Sequence, residues 1–327
     1  MAGFPTKRLR RLRGSQTLRQ MLAGVRLSRD ELIAPLFVRP GNGVRREIAS
    51  MPGQYQFSAD TAMETIRRWH DAGISAVLLF GIADQKDAVG SGAWDDSGAV
   101  QRLTVQIKHD LPQVVVITDV CLCEYTDHGH CGPLTTRGAH IDVDNDATLG
   151  LLARTAVSHA RAGADIVAPS SMMDGQVSAI RSALDEAGLT QAAIMSYAVK
   201  FASSYYGPFR QAAESSPASG DRRSYQMDYR APHQPLAEAL ADAQEGADIL
   251  MVKPAGCYLD VIAKVRAHLD MPLAAYQVSG EYSAIKAAAS LGYLDEKSAV
   301  LEATTAIKRA GADLIITYFA EQLSEWL

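Results

Sequence analysis

Three of the four cysteines in this 327-residue chain fall within residues 118–132, TDVCLCEYTDHGHCG, beside two histidines and three acids. Cys121, Cys123 and Cys131 follow the spacing C-x-C-x7-C. The first two are too close in sequence to bridge easily, and nothing else suggests a secreted disulfide protein. A metal site is the better reading. The paired C-x2-C of a zinc ribbon is absent. Three thiolates with a free fourth position describe a catalytic or substrate-facing zinc better than a closed structural one. His128 and His130 are open to two roles, ligand or support for a ligand.

Two lysines are the next candidates. Lys253 ends the apolar run ILMV and precedes Pro254. Lys200 follows AIMSYAV and precedes FASSYYGPF. At an ordinary pKa near 10.4, roughly one lysine in 2,000 is neutral at pH 7. A desolvated lysine beside another cation loses its proton more easily and attacks carbonyls to form a Schiff base. Lys200 would be that second cation or a second nucleophile. The plainer alternatives are a snorkelling or salt-bridged Lys253 and a loop Lys200.

Between Ser203 and Pro235 runs SSYYGPFRQAAESSPASGDRRSYQMDYRAPHQP, polar and broken by prolines. A connection of this length in a compact domain is a lid or disordered. It carries Arg210, Arg222, Arg223 and Arg230 among tyrosines. Arginine grips carboxylates in a two-pronged fashion, so a lid here implies an acidic substrate. An ordinary solvated loop is the alternative.

The elements that must bring these groups together recur along the chain. AGISAVLLF (72–80), RAGADIVAPS (161–170), QEGADILMVKP (244–254) and RAGADLIITY (309–318) share one pattern, a glycine closing a helix and then an apolar run. IAPLF (33–37), VVVIT (114–118), AAIMSY (192–197) and PLAAYQV (272–278) bring the count of runs to eight. The runs are nearly continuous rather than alternating, as strands buried on both faces must be. Helical stretches such as SADTAMETIRRWHDAG lie between them. This order predicts an α/β fold, one (β/α)8 TIM barrel. A doubly wound open sheet is the runner-up, weakened because no G-x-G-x-x-G follows the first strand. In a barrel the chemistry lies at the C-terminal ends of the strands. There the runs lead into Asp119, Ser170 and Ser171, Lys200, Lys253, Ser279 and Glu281, and Tyr318. One mouth would gather them all.

Composition sets the outer bounds. With 47% hydrophobic and 21% charged residues the chain can bury a sizeable core. A net charge of −5 argues against a general nucleic-acid binder. No apolar run is long enough for a membrane span, and the N-terminus lacks the apolar core of a secretory signal. Sparse cysteine fits a reducing, cytoplasmic setting. Residues 7–29 carry eight Lys or Arg and no acid. Transit peptide, nucleic-acid arm and subunit-packing arm compete for this stretch. With Asp30 and Glu31 leading straight into IAPLF, the packing arm (residues 1–30) is favoured ahead of a barrel over 31–327 with its lid at about 203–235.

Together these stretches resemble the zinc-dependent branch of the porphobilinogen synthase (5-aminolevulinate dehydratase) family, nearly end to end. The resemblance rests on TDVCLCEYTDHGHCG, PSSMMDG (169–175), YAVKFASSYYGPFR (197–210), GDRRSYQMD (220–228), MVKP (251–254), YQVSGEY (276–282) and IITYFAEQL (315–323). It implies a barrel with an N-terminal arm gripping neighbouring subunits, typically in a homo-octamer. It implies a lyase that condenses two 5-aminolevulinate molecules into porphobilinogen with loss of two waters, in tetrapyrrole (haem, cobalamin, chlorophyll) biosynthesis. By resemblance Lys253 is the Schiff-base lysine of the first substrate and Lys200 that of the second. Ser279 and Tyr318 hold the first carboxylate, and Arg210, Arg222 and Gln226 the second. Cys121, Cys123 and Cys131 are the zinc ligands, Glu238 matches a glutamate linked to an allosteric magnesium, and Asp119 is placed for proton transfer. Two positions depart from the pattern: relatives often carry Asp at Ser171 and usually Pro near Cys257. A single-imine aldolase on the same barrel, or a zinc-stabilised scaffold without catalysis, are the rival readings.

Overall fold

The computed structural model describes residues 7–137 and 140–327, so residues 1–6 of the expected arm lie outside the described residues. All eight apolar runs are parallel strands: β1 Leu32–Val38, β2 Ala76–Gly81, β3 Val115–Val120, β4 Ile166–Pro169, β5 Ala193–Lys200, β6 Ile249–Lys253, β7 Leu273–Gln277 and β8 Leu314–Thr317. Each pairs with the next, and β8 closes on β1 through Leu32 with Ile315 and Ile33 with Ile316. The fold is therefore a closed (β/α)8 barrel. All seven residues of β1 are buried. Alternate side chains fill the barrel interior or face the helices outside, which is why the sequence shows no polar alternation.

The repeated Gly-Ala-Asp has a structural cause. Gly163, Gly246 and Gly311 take φ values of 104°, 103° and 121°, which end a helix where other residues would be strained. Three residues later the chain enters a strand, and the aspartate just before it ties that strand to its predecessor. Asp165 accepts from the Val116 N–H at 2.7 Å, Asp248 from the Ile194 N–H at 2.8 Å, and Asp313 from the Leu273 N–H at 2.9 Å. The same three residues donate their own N–H groups to the carbonyls of Val116, Ile194 and Leu273. The motif thus sets the register of β4, β6 and β8 at the end of the barrel opposite the mouth.

Two short hairpins escape the sequence pattern. Arg45–Glu47 pairs with Tyr55–Phe57, which extends the barrel sheet alongside β1, and Leu134–Arg137 pairs with His140–Val143. Strands of three or four residues, one of them fully exposed Arg-Arg-Glu, leave no periodicity to read. Before β1, a 3-10 turn at Leu9–Arg13 and a helix at Gln16–Met21 bury no residue. Leu9, Leu12, Met21 and Leu22 are 50% to 69% exposed there.

Candidate active site

β5 and β6 end side by side, with Lys200 in register with Lys253. Both strands run through their lysine, further than the apolar runs alone suggest. Each lysine is only 5% exposed. The Lys253 amine lies 4.2 Å from the ring centre of Tyr276, 4.9 Å from Tyr197 and 5.1 Å from Phe209. Such faces attract a cation weakly, but they also exclude water. Burial, and next the charge of Lys200, push the Lys253 amine down to about 7. The Lys200 amine donates to the Ser170 carbonyl at 2.5 Å.

Asp119 sits within β3 rather than beyond it, since the strand continues to Val120. The Ser170 hydroxyl donates to one of its oxygens at 3.1 Å, and the other has no protein partner. Burial, and then the Cys121 charge, raise its carboxyl to about 7 against the pull of both lysines. Ser171 is fully buried, and its hydroxyl also lacks a protein partner.

Cys121, Cys123 and Cys131 are buried together, with their sulfurs within 4.8 Å of one another and the first two 3.4 Å apart. A tetrahedral zinc with bonds of about 2.3 Å holds sulfurs ~3.8 Å apart, so the cluster fits such an ion. Burial opposes ionisation of Cys121, yet hydrogen bonds from the other two thiols and the Lys200 charge outweigh it. The hydrogen bond to Cys121 holds Cys131 up at about 12. Three buried thiols this close compete for ionisation, and a dication held among them would favour the thiolate form of each. Among the described residues no fourth thiol joins them. Free cysteine most often packs as a small buried apolar residue, but Cys257 is exposed on the 3-10 turn Gly256–Tyr258.

The segment after Ser203 forms a 3-10 turn at Ser204–Tyr206 and a helix at Gly207–Ala212. Its far end crosses the mouth: the Met227 N–H donates to the Lys200 carbonyl at 3.1 Å. Arg222, 5% exposed, donates to the carbonyls of Gly129 at 2.9 Å and Ser215 at 2.7 Å. His130 is clamped between the Tyr225 hydroxyl at 3.1 Å and the Ser219 carbonyl at 2.9 Å. Both histidines of the cysteine segment therefore face this strap or its neighbours, His128 contacting the Ala88 carbonyl at 3.2 Å. Neither belongs to the cysteine cluster. Gly129 leaves room for the strap, since a Cβ there would meet the Ser216 carbonyl at 2.4 Å.

A cleft of about 670 Å³ opens between this segment and the Gly256–Tyr258 turn, and Arg210, Arg222 and Gln226 line it. Neither amide atom of buried Gln226 has a protein partner, and the Nε atoms of both arginines also lack one. Burial, and then the neighbouring Arg222, disfavour the Arg210 cation. Donors left unpaired beside two crowded guanidiniums suit an anion. On the other side Ser279 accepts from the Phe209 N–H at 3.0 Å, and the Tyr318 and Tyr276 hydroxyls meet at 2.9 Å. Glu238 stands apart, in a 330 Å³ pocket with Asp142, Asp174 and Asp228. Sequence reasoning missed Glu124, a 3% exposed carboxyl that burial and the Cys121 charge raise to about 8. Its place inside the cysteine segment was the available signal.

Comparison with known proteins matches residues 6–326 to the family model for delta-aminolevulinic acid dehydratase. The chain is 53% identical over 324 residues to the delta-aminolevulinic acid dehydratase of Synechococcus elongatus, covering 99% of each. It is 54% identical over 322 residues to that of Methanothermobacter thermautotrophicus, covering 98% of this chain and 97% of the relative. Among solved structures it resembles the Toxoplasma gondii delta-aminolevulinic acid dehydratase (porphobilinogen synthase) in complex with the product porphobilinogen. That match has a TM-score of 0.96 and 41% identity, and covers 99% of this chain and 92% of the other.

Proposed function

The chain belongs to the delta-aminolevulinic acid dehydratase family, and from that premise we propose how its residues perform the reaction. The activity is condensation of two 5-aminolevulinate molecules into porphobilinogen with loss of two waters, a step of tetrapyrrole synthesis. The observation that carries the proposal is the pair of buried lysines in register at the ends of β5 and β6. With its amine near pH 7, Lys253 is the nucleophile for the first ketone. The C–N bond forms, the ketone oxygen leaves as water, and the imine acidifies the adjacent carbon. Lys200 forms the second imine, and so two identical substrates are held by distinct groups.

Ser279 and Tyr318 take the carboxylate of the first substrate, and Arg210, Arg222 and Gln226 that of the second. Binding both fixes the orientation in which the new bonds form. Asp119, hydrogen-bonded to Ser170 and raised toward neutrality, accepts and returns protons. Cys121, Cys123 and Cys131 would hold zinc. A zinc ion there supplies Lewis acidity toward the second substrate's oxygen. Glu238 and its acidic neighbours are the place for a regulatory magnesium. The exposed leucines of residues 7–22 fit an arm that buries its apolar side on another subunit, as in an octamer. The sparse cysteines favour a cytoplasmic setting, and no helix among the described residues is long and apolar enough to cross a membrane.

The test is direct. Incubation with 5-aminolevulinate should yield porphobilinogen, and borohydride added during turnover should fix substrate mass on Lys253. Label confined to other lysines, or porphobilinogen formed at an ordinary rate by Lys253→Arg, would overturn the assignment, because a guanidinium cannot form the imine.

A further inference from the structure

Cys257 is exposed and lines the same cleft as Arg210, Arg222, Arg223 and Gln226. It lies four residues after Lys253 on a turn that Glu281 fixes by accepting the Gly256 N–H at 2.6 Å and the Val278 N–H at 2.7 Å. Tyr258, next to it, stacks on Phe201 with ring centres 4.0 Å apart, and Phe201 directly follows Lys200. The thiol is thus held at a set place on the wall, not on a loose loop. Across the cleft, Gln226 is 3% exposed with both amide atoms unpartnered, and Arg222 is 5% exposed with its Nε unpartnered. These groups are built for an anion and cannot distinguish a substrate carboxylate from another one of similar reach. Two acids around this wall are already engaged: Glu281 accepts backbone N–H groups, and Asp221 contacts Arg223 at 3.6 Å.

We infer that Cys257 is a reversible thiol-modification site that takes small anionic disulfides and closes the substrate cleft when occupied. The inference rests on the reading of this cleft as the place where the second carboxylate binds. In the exchange the Cys257 sulfur, having given up its proton, attacks one sulfur of the disulfide. A new S–S bond joins Cys257 to half of the reagent, the old S–S bond breaks, and the other half leaves as a thiolate that takes the proton. The disulfide is the oxidant and is reduced to one free thiol. The attached anionic half then lies where Arg210, Arg222 and Gln226 would receive the substrate. Excess thiol reverses the exchange.

The experiment uses the full-length metal-loaded protein and two methanethiosulfonates of similar size, one carrying a sulfonatoethyl group and one a trimethylammonioethyl group. Attachment at Cys257 is followed by intact mass and peptide mapping, and each rate is divided by that of free 2-mercaptoethanol. The normalised rate should favour the sulfonate by about tenfold at low ionic strength and lose that preference in high salt, because the arginines attract it. Full sulfonate labelling should cut porphobilinogen formation at least about tenfold with bound zinc unchanged, and dithiothreitol should restore it. Cys257→Ser should turn over normally and resist the reagent. Equal rates for the two reagents, full labelling without loss of turnover, or equal inactivation of Cys257→Ser would overturn the inference. Unlabelled protein that makes no porphobilinogen would count against the proposed function instead, since the charge preference is read by mass alone.

Discussion

Replacing Lys200 by methionine should raise the pKa of Lys253, and the size of the change follows from where the two residues lie. Neighbouring strands are ~4.8 Å apart, and the two lysines are in register at the ends of theirs. Two ammonium groups roughly 6 Å apart in a medium of effective dielectric ~20 repel by about 3 kcal/mol, or ~2 pKa units. Asp119 offsets part of this, so removing the Lys200 charge should lift Lys253 from about 7 by ~1–2 units. Methionine keeps the site dry, so the part due to burial should remain. At pH 7 the reactive neutral fraction would fall from about one half to between ~1% and ~10%.

The assay needs a ketone that makes only the first imine. 4-Oxopentanoate, which has the carboxylate and ketone but no amine, meets that need. Its borohydride-trapped attachment to Lys253 is measured against pH in single turnover. The sign is fixed: Lys253 loses reactivity as pH falls through its pKa, because the added proton removes the lone pair. The parent should show a midpoint near 7. The Lys200→Met variant should be ~5- to 50-fold slower at pH 7 and recover by about pH 9. A parent midpoint near 10 would refute the depressed amine altogether. Matching midpoints in parent and variant would refute Lys200 as a cause and leave burial alone.

Cys131→Ala should lose bound zinc and at least ~100-fold in turnover, measured by elemental analysis and porphobilinogen assay, whereas Cys257→Ala should keep both. Arg222→Ala removes two hydrogen bonds from a charged donor, each worth ~1.5–3 kcal/mol. It should therefore raise KM more than tenfold and speed hydrogen exchange across residues 215–225. A change in KM without faster exchange would show that Arg222 does not fasten the strap. Ser279→Ala leaves the Phe209 N–H without its acceptor, at a cost of ~1–2 kcal/mol. KM should rise about tenfold, checked by steady-state kinetics, and an unchanged KM would remove Ser279 from the first carboxylate site.

The barrel was legible because its constraints are local and repeated. Continuous apolar runs can only be strands covered on both sides, and each Gly-Ala-Asp marks where a helix stops and a strand is tied to its neighbour. The lysines were legible for the same reason, since an amine at the end of such a run is difficult to place anywhere but the mouth. What eluded sequence reasoning depends on contacts between distant segments. Nothing in the types of His128 and His130 tells that the first meets the Ala88 carbonyl, the second the strap, and neither the cluster. Cys257 reads as a buried apolar residue until the turn that Glu281 holds is seen to point it outward. Glu124 is an ordinary acid in the sequence, and only its burial beside Cys121 raises its carboxyl.

The contacts that cross the mouth link the three parts of the site. Arg222 donates to the carbonyl of Gly129, which lies between Cys123 and Cys131 in the chain, and the Met227 N–H donates to the carbonyl of Lys200. A strap anchored at one end on the cysteine segment and at the other on a reactive strand cannot shift without disturbing both. Gln226, with its unpaired amide, lies between those anchors. The second substrate's carboxylate would therefore complete the strap's hydrogen bonding while its ketone meets Lys200. The first lysine stands in a different setting, an aromatic enclosure of Tyr276, Tyr197 and Phe209 that lowers its pKa. On the proposed assignment, two copies of one molecule would be told apart by what surrounds each lysine: the aromatic-lined position would react on its own, while the position under the strap would depend on its anionic ligand being seated.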